Sequence, residues 1–382
     1  MPSRTHRDGP PSAAATEPAP GTSQSAAPPA STDGARRVRL LANLLRVLQI
    51  GPALILIVLA LVVWSLTPTF ISTANIQNIL IQSSVVAILA LGELIVIVTG
   101  GIDLSVGSVL VFSGVIADKV MAAMGGQGWA AALVGALVAI ACGLGWGLFN
   151  GVLIARAKVP PLIVTLGTLG MALGLAEVIT AGVDLRDIPT VMVNTVGFGN
   201  IFWEIPTLAV IAAVVIALGI VLLHRTRFGL HTYALGSNPE AGRRSGLNVT
   251  RHLIMVYALS GLLAGFAGWL NLAFFQSTTI GGQTATNLSV IAGVVIGGTS
   301  LFGGYGSIFG SIVGLFIPAT LQDGFVIIGI QPFWQQVVVG AVLIAAVYVD
   351  QQRRAAALRG GPTRVSGLLG RMISRQGDPA RE

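Results

Sequence analysis

From Leu253 to Gln322 the chain carries no Asp, Glu, Lys or Arg, and beyond Asp323 a second charge-free run extends from 324 to 349. Shorter runs of the same kind cover 50–66, 128–155, 159–176 and 205–223. One bilayer-spanning helix takes about 20 mostly apolar residues, so the longest run holds more than one span. Only 10% of the residues are charged and 53% are hydrophobic, against roughly 25% charged in soluble domains. Hydrocarbon offers backbone groups no hydrogen-bonding partner, so spans this apolar must be helices that satisfy themselves. The fold class is therefore an all-α polytopic membrane protein. Ten candidate spans lie at about 48–67, 79–99, 104–118, 129–155, 160–182, 206–223, 253–275, 288–302, 308–322 and 333–349.

The net charge of +7 reports orientation rather than nucleic-acid binding. With both termini cytoplasmic, the N-terminal tail, loop 156–158, loop 224–252 and the C-terminal tail share one side and hold twenty of the twenty-two Lys and Arg residues. Lys119 and Arg186 fall on the other side, the bias that positive-inside sorting produces. Residues 1–45 form an N-terminal tail, rich in Pro, Ala and Ser as far as residue 35 and read there as disordered. Residues 46–350 make the transmembrane domain, and 351–382 a basic cytoplasmic tail. No apolar stretch precedes residue 50, so the first span reads as uncleaved. The single Cys142 excludes an internal disulfide framework.

Small residues recur at four-residue spacing, as Gly143, Gly147 and Gly151 and again as Gly306, Gly310 and Gly314. Such steps let helix backbones approach closely, either within the chain or at a dimer seam. Two further glycine-rich passages interrupt the apolar pattern: "TGGIDLSVGSV" at 99–109 and "VIGGTSLFGGYGSIFG" at 295–310. The uncharged run after the first, 104–117, has 14 residues and would reach only about 21 Å. Runs of about 15 residues flank the second. Gly100 and Gly101 match Gly297 and Gly298, Leu104 matches Leu301, Gly107 matches Gly304, and Asp103 stands opposite Ser300. Two short Gly-broken hairpins in corresponding halves are the mark of a transport pathway.

Asp103 either caps a helix starting near Leu104 or makes direct contact with solute or a moving gate. Glu93 and Glu177 are the other intramembrane acids, and such groups are functional candidates by default. With no basic residue inside the membrane to pair them, each faces water or the bundle interior. Asn271 and Gln276 near the outer end of the seventh span, Ser105 beside Asp103, and Thr165 and Thr168 in "VTLGTLG" complete the candidate pathway residues.

Between spans six and seven, "HRTRFGLHTYALGSNPEAGRRSGLNVTRH" is the longest polar interruption. Asn238 reads as an N-cap, Pro239 as the first helical residue and Glu240 as a first-turn acid, opening a short helix that ends near Gly246. A charged helix displayed there suits docking of a cytoplasmic partner.

Together "TGGIDLSVGSV", "VTLGTLG", "RTRFGLHTYALGSNPEAGRRSGLNV" and "GGTSLFGGYGSI", four blocks in order across residues 45–350, resemble the membrane permease subunits of the ribose/xylose/galactose class of bacterial ABC sugar importers. The resemblance implies a multi-pass inner-membrane protein with a cobalamin-importer-like fold of ten spans per subunit. It also implies a second permease subunit, two cytoplasmic ATPase domains and an extracytoplasmic solute-binding protein. Glu240, Ala241 and Gly246 match the Glu-Ala-Ala docking pattern of importer permeases. Gly242 departs from its third position, at a cost of about 1 kcal/mol to the short helix. Gly236, Asn238, Arg243 and Arg244 belong to the same loop; Glu240 is expected to face basic groups of the ATPase, and Arg243 or Arg244 acidic ones.

The chain holds no phosphate-binding motif of its own, since neither Lys119 nor Lys158 lies in Gly-x-x-x-x-Gly-Lys-Ser/Thr. ATP is therefore bound by partner subunits, and no cofactor, metal site or covalent catalysis is expected of this chain. Its four histidines show no metal or triad spacing. The cargo implied is a pentose, hexose or polyol. A nucleoside or branched-chain amino acid stands as the alternative, and a secondary transporter driven by an ion gradient is a separate reading.

Overall fold

The computed structural model describes residues 51–359, apart from Gly126, Phe202, Gln283 and Pro332. The expected N-terminal tail and the C-terminal tail beyond 359 lie outside the described residues. Thirteen helices occur among those described. They are α1 (Gly51–Leu66), α2 (Thr73–Val98), α3 (Val106–Ala123), α4 (Trp129–Ala155), α5 (Pro161–Thr180), the single turn α6 (Thr190–Met192), α7 (Thr207–Arg225), α8 (Arg227–Ser237), α9 (Pro239–Arg244), α10 (Val249–Phe275), α11 (Thr284–Ile296), α12 (Ile308–Ile327) and α13 (Phe333–Arg359). Seven of them, α2 to α5, α7, α10 and α12, are long and apolar enough to cross a membrane. The remaining expected spans coincide with α1, α11 and α13, whose apolar stretches are shorter.

Being apolar on every face is what lets α2 run through the centre of the bundle. In its most apolar stretch 89% of the residues are buried, against 22% for α7 at the periphery. Leu89, Leu94, Ile95 and Ile97 of α2 pack with Leu110 of α3 and Tyr257 and Leu270 of α10. Outer helices instead present Leu137, Val178 and Leu218 outward, as lipid contact requires.

Glycine sets the closest crossings. A Cβ on Gly143 of α4 would strike the carbonyl of Gly261 on α10, and one on Gly147 would strike that of Tyr257. The second stripe behaves alike, with Gly310 and Gly314 of α12 against Gly297 and Gly293 of α11. Both stripes are consumed inside the chain, which resolves the alternatives left by their spacing in favour of internal packing.

Two expectations need correction. Helix α3 is not a 14-residue stub: it continues through Asp118 and Lys119 to Ala123 and has 18 residues. The expected pair of short runs around the second break resolves into 13 residues for α11 and 20 for α12, so only α11 is short. Helix α13 runs on past residue 350 to Arg359, with its apolar stretch ending at Tyr348. Opposite the basic loop, residues 181–206 fold over the bundle end, with a two-residue antiparallel ladder pairing Ile201 with Ile205. Asp184 Oδ1 accepts from Ile280 N at 2.8 Å and pins this cover to the segment after α10.

Candidate translocation and coupling site

The first break, 99–105, closes α2 by a glycine-terminated turn. Gly100 takes φ +84°, reserved in practice for glycine, and Gly101 N donates to Val96 O at 3.2 Å. The second break repeats this at Gly298, φ +91°, with Thr299 N donating to Val294 O at 3.2 Å. The structural repeat therefore pairs Gly100 with Gly298, one residue away from the match suggested by the aligned glycine pairs.

Asp103 is buried in a polar node between α2, α4 and α10. Its Oδ1 accepts from Ser105 Oγ at 2.6 Å and Ser105 N at 3.0 Å, and its Oδ2 from Ser260 Oγ at 3.2 Å. Its own N–H donates to Glu93 Oε1 at 3.2 Å, and Asn150 Nδ2 donates to Ser105 Oγ at 3.0 Å. No lysine or arginine joins the node among the described residues. Glu93 Oε2, Asn150 Oδ1 and the Tyr257 hydroxyl are buried without a partner in the structure, and groups left so are costly. The expected cap at Leu104 is displaced: α3 starts at Val106, and Asp103 holds the turn before it. The first-turn N–H of Gly107 is instead capped by Asn287 Oδ1 at 2.6 Å from α11. Thr165 donates to Ile102 O at 3.2 Å and so ties α5 to the first break, whereas Thr168 is buried and donates within its own helix to Thr165 O at 3.2 Å.

At the basic end, the expected single short helix is preceded by a second, α8. Thr226 caps α8 by accepting from Phe228 N at 3.2 Å, and the Thr232 hydroxyl meets His252 Nε2 of α10 at 2.9 Å. Asn238 caps α9 as expected, accepting from Ala241 N at 3.0 Å. Gly246 ends it at φ +86°, with Leu247 N donating to Gly242 O at 3.1 Å. Gly242 now has a reason: a Cβ there would lie 2.8 Å from Leu235 Cδ2 of α8. Glu240 pairs with Arg244 at 3.3 Å and Arg243 at 3.9 Å, all three well exposed. Such pairs contribute about 0–1 kcal/mol, so these charges remain available to another surface.

The C-terminal end of α8 wedges between the two breaks. Gly304 N donates to Val98 O at 2.8 Å, joining them directly. A Cβ on Gly236 would overlap both Val98 O and Gly304 N, and one on Gly304 would meet Ser237. The Tyr233 hydroxyl donates to Gly306 O at 2.9 Å. Burial, then neighbouring Tyr305, push that hydroxyl above the usual tyrosine range, which keeps it a donor. Three chain segments thus meet backbone to backbone one turn from α9.

A cavity of about 330 Å³ opens between α2, α10, α11 and α12, in the half of the bundle away from α8. Asn271 lines it, as do Gln82, Ser83, Ser289 and Asp323, none of which stood out in the sequence. Phe275 lines both this cavity and an outer groove that includes Arg186, Asn194 and Gln276. Among the remaining candidates, Glu177 lies exposed on the outer face of α5. No group of three His, Cys, Asp or Glu able to hold a metal occurs among the described residues.

Comparison with known proteins shows what the chain is similar to. The family described as "Branched-chain amino acid transport system / permease component" matches residues 75–347. The ribose import permease protein of Escherichia coli (strain K12) is 38% identical over 301 residues, 78% of this chain and 92% of that one. The fructose import permease protein of Rhizobium meliloti is 37% identical over 327 residues, 82% and 89% of the two chains. The galactose/methyl galactoside import permease protein of Salmonella typhimurium is 35% identical over 315 residues, 79% and 93%. No solved structure matches.

Proposed function

The chain belongs to the family of ABC importer permeases, and from that premise we propose that it forms the membrane pathway for a monosaccharide, driven by ATP hydrolysis on partner subunits. The matched relatives named for ribose, galactose and fructose support the cargo class. The reading includes ten spans in a cobalamin-importer-like arrangement, with both termini and the α8–α9 segment cytoplasmic and the 181–206 cover facing a solute-binding protein.

The observation that carries the reading is the backbone junction of Val98, Gly236 and Gly304. A helix that docks an ATPase must pass its displacement to the pathway. Here only Asn238 separates α9 from α8, and α8 is jammed against the end of α2 and against the 297–307 break that leads from α11 into α12; all three of those helices form walls of the cavity. Flexible side chains would absorb the motion, whereas backbone contact transmits it.

Exposed Glu177 supports a second permease subunit. A carboxylate facing lipid is expensive, and Gly167, Gly170 and Gly174 on the same helix have open space beside them. A partner subunit or a wet pathway against α5 removes that cost.

The test is purification of the tagged chain from its own membrane in mild detergent. An ATPase subunit is expected to copurify, and to be lost when Glu240→Lys and Arg243→Glu are combined. Solute transport in liposomes by the chain alone, on an ion gradient, would contradict the reading.

A further inference from the structure

We propose that the cavity between α2, α10, α11 and α12 of a single subunit is a holding station for a neutral monosaccharide, with the Asp323 carboxylate accepting sugar hydroxyls. The proposal rests on the permease reading above and adds where and by what chemistry the solute is held.

Size is the first argument. About 330 Å³ lies at the small end of the roughly 300–1,000 Å³ spanned by small-molecule sites. One furanose or pyranose ring fits, and an oligosaccharide does not.

The lining chemistry is the second. Gln82, Ser83, Asn271, Ser289 and Asp323 present short neutral donors and acceptors with one carboxylate, beside the ring of Phe274. A sugar offers the complement, hydroxyls around its rim and C–H groups on its faces. No Lys, Arg or His lines the cavity among the described residues. An amino acid's carboxylate would find no basic side chain there and, like an anionic sugar, would meet Asp323 at close range.

Two hydrogen-bonding details are the third. The Ser83 hydroxyl is buried, at 2% exposure, and makes no hydrogen bond in the structure. Asp323 Oδ2 accepts from Asn75 Nδ2 at 2.7 Å, and that same nitrogen donates to Phe70 O at 3.0 Å. Asn75 thereby holds the carboxylate by one oxygen, and Oδ1 accepts from no described group. Charged acceptors bind hydroxyls about twice as strongly as neutral ones, so Asp323 is the strongest single handle on a polyol in this cavity. Pro318, also in the wall, supplies no N–H to Gly314 O, which leaves α12 free to bend beside the station.

The test uses the full-length chain in cells carrying its partner subunits, with sole Cys142 replaced by Ala and Ser83→Cys introduced. A membrane-impermeant maleimide reports access to the introduced thiol, and D-ribose, D-galactose, D-fructose and D-glucuronate are the probes. Ser289→Cys, on the opposite wall, gives the same readout should the first variant fail to reach the membrane. Labelling is expected from outside, slowed by at least one neutral sugar and not by glucuronate. Adding Asp323→Asn should leave labelling intact and raise the half-protecting concentration about tenfold.

Absence of labelling at both positions overturns the proposal, as does equal protection by glucuronate or protection unchanged by Asp323→Asn. Uptake of a panel sugar with no protection by any of them overturns the station while the permease reading stands. Failure of the unaltered chain to take up any sugar, with uptake of leucine or uridine instead, overturns both.

Discussion

The two glycine-closed breaks share their turn geometry and one backbone junction, Gly304 N to Val98 O, and differ in the rest of their surroundings. The break at 99–105 is sealed into the bundle: Asp103 is tied to Ser105, Ser260 and, through its backbone, Glu93. The helix after it is capped from α11 by Asn287. The break at 297–307 reaches outward, touching Tyr233 and Gly236 of α8, and Ser300 Oγ donates to Asp350 Oδ2 of α13 at 3.2 Å. In the proposed mechanism the first supplies a fixed reference within the core and the second is the part that moves; that mechanism needs both, because a displacement does work only against something held still.

That contrast can be broken from either side. The largest effect is expected at the joint. Gly236→Ala puts a methyl group into the Val98 and Gly304 backbones, and sugar uptake should fall about tenfold or more while the ATPase still copurifies. Asp103→Ala attacks the fixed break and leaves buried donors unpaired, so it should cost about 3 kcal/mol, read as a lower melting temperature in detergent. Asn287→Ala removes only the cap on Gly107 and should cost about 1–2 kcal/mol by the same measurement. Ser300→Ala loses one half-buried hydrogen bond and should cost about 1 kcal/mol or less, with a change in uptake larger than the change in melting.

Much of the architecture was legible because charge-free runs and glycine spacing report directly on lipid and on helix contact. Asn238, Pro239 and Gly246 also announced α9 correctly, since caps are local. The misses share one cause. Treating each charge as a boundary ended the third span at Asp118 and the ninth before Asp323, yet both acids lie within helices, one buried and the other in a cavity wall. The Asn287 cap spans 180 positions in sequence, and the cavity draws one or two polar residues from each of four helices. Neither leaves a local pattern. Candidate pathway residues chosen for being polar within a span therefore fell largely on the packed node, and only Asn271 and Gln276 reached a cavity or groove.

Hydrogen exchange over residues 297–307 in the purified permease–ATPase complex, with and without a non-hydrolysable ATP analogue, tests the junction most directly. The account predicts that nucleotide changes exchange at Gly303 to Gly306, and that Gly236→Ala abolishes the change. Identical exchange with and without nucleotide, in a complex that still imports sugar, would contradict it.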